Sequence, residues 1–347
     1  MLSTRVDVAL RGVRTDTPVR RRGGAGPSDD GHVLLAGRGA ALPIVDNSPY
    51  SITDGRLLFD GDDTGLSVDA VARPRFYDLT TADGIRYDQL ARMHGDGVLA
   101  TTVVQTCIRY DPADRCRFCA IEESLRSGGT TAVKTPSQLA EVAEAAVRLD
   151  GVRQVVMTTG TTNGRDRGAR HLARCVRAIK EAVPGLPVQV QCEPPDDLAV
   201  LTELRQAGVD AIGIHVESLD EDVRRRWMPG KATVPMAAYW AAWREAVRVF
   251  GRNRVSTYLL VGLGENSDDL VAGAAELIEA GVYPFVVPFR PLAGTLASSE
   301  PAPSPGAVVE VTAKVADLLR SAGMRGRDQG AGCAACGACS ALSTIGG

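Results

Sequence analysis

The sequence predicts an α/β fold whose main domain is a parallel sheet or barrel of six strands. From about residue 97, apolar strand-like runs alternate with amphipathic helices at intervals of roughly thirty to forty residues. Most of these runs end in small, polar or glycine residues, and the flanking segments lack the repeat. We therefore divide the chain into a β-rich extension (residues 1–95), the barrel (residues 96–296) and a C-terminal tail (residues 297–347).

The extension has short β-like runs, such as residues 33–35 and 57–59, separated by glycine, aspartate and proline turns. This pattern is typical of a small β-rich or irregular layer. A polar turn at residues 46–50 ends in Tyr50. Turn residues commonly serve only to reverse the chain, but the side chain of Tyr50 is also a predicted substrate contact.

Apolar periodicity defines the elements of the barrel. The predicted strands are residues 98–106, 154–159, 187–192, 211–216, 255–261 and 283–288. The predicted helices are residues 136–149, 167–182, 197–206, 220–226, 236–250, 267–280 and 305–322. Parallel strands place ligand sites at their carboxyl ends, so functional residues are expected there.

Three cysteines follow the first predicted strand. Cys107, Cys116 and Cys119 have eight and then two residues between them, and an odd number of thiols cannot pair off as disulfides. Such a set suits metal ligation, although structural zinc ligands or plain reduced thiols are alternatives. Zinc would need a fourth ligand, and His94 and His171 are too remote in sequence for any known spacing. A [4Fe–4S] cluster on three thiolates would leave one iron open for a substrate or cofactor.

The later strand ends carry polar and glycine residues that are candidate ligand contacts. His215 and Glu217 are two residues apart, so they lie on one face of the fourth strand. Arg290, after the sixth strand, could pair with a substrate carboxylate or phosphate, or be a surface charge. A hydrogen-bonded polar rim is the alternative for Glu193, His215 and Glu217. The other members of this candidate set are Thr158, Thr159, Gly160 and Thr161 after the second strand, Glu193 after the third, and Gly262 and Gly264 after the fifth.

A second cysteine set lies in the tail. Cys333, Cys336 and Cys339 form two overlapping C-x-x-C units among small residues, which let a backbone wrap closely around an inorganic cluster. A zinc knuckle is the alternative, and it again lacks an evident fourth ligand. Ser340 is a possible fourth ligand of a cluster. The remaining cysteine inside a helix, Cys175, is predicted to be buried packing.

Composition limits the function classes. The 347 residues carry a formal net charge of −3, with acidic and basic residues intermixed, so nothing favours nucleic-acid binding. The basic run at residues 20–22 is predicted to be a solvated loop. No apolar run reaches the roughly 18 residues of a membrane span, and a signal-peptide core is lacking at the N-terminus. We expect a cytoplasmic protein whose eight cysteines are ligands or buried thiols.

Residues 97–295 resemble the radical S-adenosylmethionine superfamily, in its biotin synthase and lipoyl synthase-like branch, and are similar to radical enzymes of nitrilase-associated gene clusters. The resemblance implies a (βα)6 partial TIM-like barrel with a three-cysteine [4Fe–4S] cluster that chelates S-adenosylmethionine. One departure is the cysteine spacing, which in the superfamily is usually three and then two residues. Here the loop is longer by five residues.

By this resemblance, Cys107, Cys116 and Cys119 are the cluster ligands, and Phe118 is the aromatic residue that packs near the adenine. Residues 158–161 resemble the motif that meets the methionyl amino group. The other positions that resemble cofactor contacts are Glu193, His215, Glu217, Gly262 and Gly264.

The resemblance implies that an external one-electron donor, such as flavodoxin or ferredoxin, supplies the electron that generates a 5′-deoxyadenosyl radical. The radical would abstract hydrogen from a small-molecule substrate. The tail cysteines resemble the ligands of an auxiliary [4Fe–4S] cluster, which implies two clusters per chain and formation of a C–S bond with cluster sulfur. One alternative is a radical rearrangement or oxidation in which the second cluster relays electrons or anchors the substrate. The more distant alternative is a zinc-binding protein without radical chemistry.

Overall fold

The computed structural model describes residues 1–14 and 32–345, and its first elements form an N-terminal layer. Helix α1 (Leu2–Arg11) precedes an antiparallel sheet with the strand order β2-β1-β5-β4-β3. These strands are β1 (His32–Leu35), β2 (Arg38–Ala41), β3 (Tyr50–Thr53), β4 (Arg56–Phe59) and β5 (Asp62–Ala70). The predicted β-rich layer is therefore present, whereas residues 20–22 lie outside the described ranges.

Helix α1 was not predicted. Its buried Val6 and Val8 are β-branched and two residues apart, a spacing that indicates a strand rather than a helix. Tertiary packing decides in favour of the helix, since α1 lies against the last long helix of the chain.

The main sheet has seven strands in the order β12-β11-β10-β9-β8-β7-β6 and curls into a half-barrel. Its strands are β6 (Arg92–His94), β7 (Val98–Thr102), β8 (Gln154–Thr158), β9 (Val188–Gln191), β10 (Ala211–Gly213), β11 (Val255–Val261) and β12 (Val282–Pro288). Strands β7 to β12 pair in parallel, each with its neighbour in sequence, so each of the six predicted strands is present. The fourth predicted strand is too long, because β10 ends at Gly213 and His215 and Glu217 lie beyond it. Strand β6, which belongs to the predicted extension, pairs antiparallel with β7 at one edge.

The first predicted strand is too long, because β7 ends at Thr102 instead of residue 106. Beyond Thr102, the backbone divides its hydrogen bonds between two neighbours. The N–H of Val103 donates to the carbonyl of Thr158, whereas the N–H of Gln105 donates to the carbonyl of Ala132. This departure from the sheet turns the chain toward the barrel rim.

Further helices surround the half-barrel, and the longer ones cover its outer face. They are α2 (Tyr87–Leu90), α3 (Glu123–Arg126), α4 (Pro136–Asp150), α5 (Ala169–Ala182), α6 (Ala199–Gln206), α7 (Glu221–Trp227), α8 (Pro229–Ala232), α9 (Met236–Phe250), α10 (Ser267–Glu279), α11 (Pro305–Ser321), α12 (Cys333–Cys336) and α13 (Leu342–Ile345). Thr135, Asn266 and Ser304 cap α4, α10 and α11, and such a cap contributes about 1 kcal/mol. Across residues 1–14 and 32–345, every helix is too short or too polar to span a bilayer.

The two faces of the barrel sheet differ in polarity. Outward residues such as Val155, Val188 and Ile212 are fully buried in the core beneath the helices. Several inward positions of β8, β9 and β11 are polar instead, namely Gln154, Gln189, Gln191, Ser256 and Tyr258. Three of them bond one another: the Gln191 amide nitrogen is 3.0 Å from the Gln189 amide oxygen, and the Gln189 amide donates to the Ser256 hydroxyl. A polar interior of this kind suits a ligand cavity better than a packed apolar plug.

The two edge strands of the half-barrel, β6 and β12, do not pair with each other. Strand β2 and the C-terminal tail occupy the gap between them. A β-carbon built on Gly39 would lie 3.7 Å from Ala338 in the tail and 3.8 Å from Gly95, which follows β6. On the opposite edge, the Ser340 hydroxyl donates to the carbonyl of Val286 in β12, at 2.5 Å. The extension and the tail therefore close the barrel together.

Candidate functional site

The first cysteine set lies at the C-terminal end of the barrel, directly after β7. The N–H of Ile108 donates to the carbonyl of Thr161, which ties the cysteine loop to the loop after β8. Burial, with a smaller effect of the nearby charge of Cys107, raises the pKa of Cys119 to about 11. Burial also raises the pKa of Cys116, and the charge of Cys119 acts in the same direction. The thiols of Cys116 and Cys119 are thus shielded from water and protonated unless a metal displaces their protons, and Cys107 lies close to them.

An ion pair anchors the long cysteine loop. The Arg109 guanidinium makes a bidentate contact with the Glu193 carboxylate, with Nε–Oε1 and Nη2–Oε2 distances of 3.0 Å. Arg109 also donates to the carbonyl of Gly230, whose own N–H donates to the carbonyl of Asp114. Bidentate pairs of this kind are strong and directional. The additional residues of the loop are thereby docked on β9 and α8, and Glu193 meets Arg109 instead of standing free.

A second ion pair lies beside the same cysteines. The Lys231 ammonium is 2.5 Å from the Glu217 carboxylate, and both side chains are at most 12% exposed. Burial acts to lower the pKa of Lys231, but the Glu217 carboxylate raises it. The charge of Lys231 in turn opposes the effect of burial on Cys116. Neither Lys231 nor Arg109 was predicted, since no spacing rule connects them to their partners.

Breaking this buried pair should destabilise the protein. We expect Lys231→Met to lower the free energy of unfolding by about 3–5 kcal/mol, because Glu217 would remain buried and unpaired. The double variant Lys231→Met/Glu217→Leu should recover most of that loss. Denaturant unfolding measures both. Lys314→Met is the matched control, since its pairs with Asp268 and Glu310 are exposed and contribute at most about 1 kcal/mol. Equal losses in both single variants would contradict the prediction.

His215 stands inside the barrel, stacked on Tyr258 with a centroid distance of 4.1 Å and an interplanar angle of 8°. Burial lowers the pKa of His215 to about 3, so the ring is neutral. Its Nδ1 accepts a hydrogen bond from the Tyr258 backbone N–H at 3.2 Å, which assigns the proton to Nε2. That Nε2 is buried and has no partner among the described residues. It is a donor that a bound ligand could accept from, and the contact of His215 with a cofactor stays a prediction.

The second cysteine set reaches the same interior from the opposite end. The Cys333 thiol accepts hydrogen bonds from the Gln191 amide, at 3.2 Å, and from the Tyr258 hydroxyl. Its backbone N–H donates to the Gln189 amide oxygen at 3.3 Å. These three partners project inward from β9 and β11. Tyr258 therefore touches both His215 and the second cysteine set.

The other two tail cysteines, Cys336 and Cys339, lie close to Cys333. Burial raises the pKa of Cys336 to about 12. Burial also raises the pKa of Cys339, and the charges of Cys333 and Cys336 act in the same direction. A β-carbon at Gly95 would lie 3.3 Å from the Cys336 sulfur. Gly337, between the last two cysteines, has a φ of 68°, which favours glycine. The tail thus packs three thiols tightly against the barrel wall.

Both thiol sets fit iron–sulfur clusters. All six residues are free cysteines, and thiolates are the ligands that such clusters use. In residues 1–14 and 32–345, no three His, Cys, Asp or Glu side chains converge as the ligands of one ion would. The cysteines of a cluster bind different irons, so their sulfurs need not meet at one point. Cys107, Cys116 and Cys119 would hold the first cluster, and Cys333, Cys336 and Cys339 would hold the second.

Backbone packing accounts for two predicted glycines. A β-carbon on Gly160 would lie 2.0 Å from the carbonyl oxygen of Thr106, so only glycine lets the β8 loop touch the cysteine loop. Gly262 has a φ of 105°, and a β-carbon there would lie 2.8 Å from Pro303. Gly264 shares the left-handed conformation, with a φ of 112°. Phe118 is half-buried against the main core, and its contact with adenine stays a prediction.

The remaining predicted residues lie in different places. Tyr50 is buried in the core of the N-terminal sheet, and its hydroxyl donates to Asp7 at 2.8 Å. Arg290 lines a cavity beside Cys339 and Ser340. The Ser340 hydroxyl donates to a carbonyl of β12, so its role as a ligand also stays a prediction. Arg290 is thus brought to the second cysteine set, whereas Tyr50 belongs to another layer.

Comparison with known proteins agrees with this geometry. The profile of the Radical SAM superfamily matches residues 113–277. Lipoyl synthase from Thermus thermophilus is 32% identical over 48% of this chain and 50% of its own length. Bacteriochlorophyllide c C-7(1)-hydroxylase from Chlorobaculum limnaeum is 27% identical over 61% of this chain and 57% of its own length. The chain spans about half the length of the curated relatives that it matches.

Two solved structures have a similar chain path over part of their length. The FeFe-hydrogenase maturase HydG from Carboxydothermus hydrogenoformans is 16% identical, with a TM-score of 0.47, over 64% of this chain and 50% of that one. Methylornithine synthase (PylB) is 16% identical, with a TM-score of 0.46, over 65% of this chain and 69% of that one. The fold assignment rests on the strand order and register given above.

Proposed function

From the premise that this chain carries a domain of the radical SAM superfamily, we propose that it is an enzyme that forms a C–S bond on a small-molecule substrate. The sulfur would come from a second, auxiliary [4Fe–4S] cluster held by the tail. The observation that supports this most strongly is that both cysteine sets adjoin the same interior residues. The charge of Lys231 acts on both Cys116 and His215, and Tyr258 contacts both His215 and Cys333.

Cys107, Cys116 and Cys119 would hold the first cluster, which would supply the electron that cleaves S-adenosylmethionine to a 5′-deoxyadenosyl radical for hydrogen abstraction from the substrate. The protein's own part is to position the bound molecules and to exclude water from them. The Arg109–Glu193 pair fixes the cysteine loop, and the buried Nε2–H of His215 can donate to a polar group of a bound molecule. Such fixed donors orient a substrate without reorganisation during the reaction.

The interior favours a polar substrate that is held by hydrogen bonds. Gln189, Gln191, His215 and Tyr258 are all neutral groups, and the pKa of His215, lowered to about 3 by burial, keeps it so at physiological pH. Arg290 supplies a cation next to Cys339, and it remains the proposed partner of a substrate carboxylate or phosphate.

The relatives support two versions of the chemistry. The lipoyl synthases support sulfur insertion, since they match at up to 32% identity among those described. The hydroxylase match supports the second candidate, a radical oxidation in which the second cluster relays electrons or anchors the substrate. Both versions need an external one-electron donor such as flavodoxin or ferredoxin. Eight free cysteines support a reducing, cytoplasmic setting.

Metal and sulfide analysis tests this proposal directly. We expect anaerobically reconstituted protein to contain about eight irons and about eight sulfides per chain, and to form 5′-deoxyadenosine from S-adenosylmethionine and dithionite. Protein reconstituted with ³⁴S-sulfide, incubated with a small-molecule extract, should transfer ³⁴S to one compound in a single turnover. An oxidised compound without ³⁴S would favour the second candidate. Bound zinc without iron would overturn both.

A further inference from the structure

Arg5 of helix α1 is a buried cation without a carboxylate partner. Its side chain is 4% exposed and donates to the carbonyls of Gly39, at 2.6 Å, and Gly337, at 3.2 Å. None of the salt bridges among the described residues includes it. Burial lowers the pKa of Arg5, and the charge of Arg38 adds to the effect. Burying an unpaired charge costs several kcal/mol, so a nearby negative group is expected.

Two tail cysteines adjoin Arg5, and Cys339 lines the same cavity as Arg5. Charges on Cys339 and Cys336 oppose the lowering of the Arg5 pKa. Arg5 in turn opposes the burial that raises the pKa of both thiols. The carbonyl that Arg5 contacts belongs to Gly337, which lies between these two cysteines in sequence. The guanidinium is thus directed at the backbone of the cysteine loop itself.

As protonated thiols, these cysteines give Arg5 no counter-charge. Bound to iron they are thiolates, and three thiolates bring more negative charge than a dicationic cluster core neutralises. The buried guanidinium and the cysteine set therefore match in charge only when the second site is loaded.

Arg5 also occupies the part of the protein that closes the barrel. Helix α1 packs against α11, and Arg5 bridges Gly39 in β2 to Gly337 in the tail. Strand β2 and the tail are the segments that fill the gap between β6 and β12. A change in the charge around Arg5 should therefore alter the packing of the N-terminal layer against the half-barrel.

We propose that Arg5 is the counter-charge of the second cluster, and that loading of this cluster docks α1 and β2 over the open side of the half-barrel. The coupling rests on the proposed function, because it requires that the tail cysteines hold a cluster. It makes closure of the substrate cavity depend on an intact second cluster.

Three variants separate charge from hydrogen bonding. Arg5→Gln keeps donors for the two carbonyls but removes the charge, whereas Arg5→Lys keeps the charge. Arg11→Gln is the control, since Arg11 lies on the same helix, is 51% exposed and pairs with Asp7. The measurements are iron per chain, the reduction potential of the second cluster followed by electron paramagnetic resonance, and protease protection of the N-terminal layer with and without iron.

We expect loading to increase protection of the N-terminal layer in wild type, in Arg5→Lys and in Arg11→Gln. In Arg5→Gln, that gain should be lost, and the second cluster should be lost or shifted to a lower potential, because loss of a positive charge disfavours reduction. If loaded wild type holds only the first cluster, the proposed function fails at its second site. If wild type holds two clusters and Arg5→Gln matches Arg11→Gln in all three measurements, the Arg5 proposal is overturned while the function stands.

A folding defect in Arg5→Gln would still leave a decisive measurement. Wild-type protein alone, compared without iron and with both clusters loaded, must show different protection of residues 1–14. Equal protection in the two states would overturn the coupling, whatever the variant does.

Discussion

Replacement of Cys116 by serine is expected to abolish cleavage of S-adenosylmethionine and to reduce the iron content from about eight to about four per chain. Cys116 is one of three thiols that influence one another at the C-terminal barrel rim. A hydroxyl is a poorer ligand for iron than a thiolate, so the first cluster should not assemble. Iron and sulfide assays, together with quantification of 5′-deoxyadenosine, measure the effect.

Cys175→Ser is the matched control for this variant. Cys175 is fully buried in α5, next to His171, and lies in neither cysteine set. Its replacement should leave iron content and 5′-deoxyadenosine formation unchanged. If Cys116→Ser retained full iron while Cys175→Ser lost it, the assignment of the first cluster would be wrong.

Replacement of Cys336 by serine should separate the two halves of the reaction. We expect about four irons per chain, continued formation of 5′-deoxyadenosine, and complete loss of the sulfur-containing product. The two cysteine sets lie at different places in the barrel, so loss of the second should leave the first intact. Cys336 lies against Gly95 at the edge of the barrel, whereas the first cysteine set lies beyond the carboxyl end of β7. Mass spectrometry of both products measures the separation.

Circular dichroism and thermal unfolding provide the control for Cys336→Ser. Loss of 5′-deoxyadenosine together with a lowered melting temperature would indicate damage to the fold, since the tail also fills the gap between β6 and β12. Retention of the sulfur-containing product at half the iron would contradict a role for the second cluster as sulfur donor.

The barrel strands were predictable because short apolar runs that alternate with amphipathic helices are typical of buried parallel strands. Helix α1 was not, since its Val6 and Val8 follow the periodicity of a strand and only packing against α11 selects a helix. The end of β7 was misplaced for a related reason. Its apolar pattern continues past Thr102, while its hydrogen bonds go to a segment about thirty residues later.

The cysteine ligands were predictable because their chemistry is local in sequence. The side chains that position them were not. Arg109 and Glu193 are 84 residues apart, and Arg5 and Gly337 are 332 residues apart. Gln189 and Gln191 did carry a usable signal, since polar residues at alternate positions of an apolar strand indicate a polar interior.

The docked cysteine loop has a consequence for how related proteins can be found. Arg109 and Glu193 fix the additional residues of the loop next to the end of the third barrel strand. The number of residues between the first two cysteines can therefore vary without moving the cysteine sulfurs that would bind the cluster. A search pattern based on one short spacing would pass over such chains. A pattern that joins a long spacing to an arginine two residues after the first cysteine, and to a glutamate two residues beyond a later strand, would recover them.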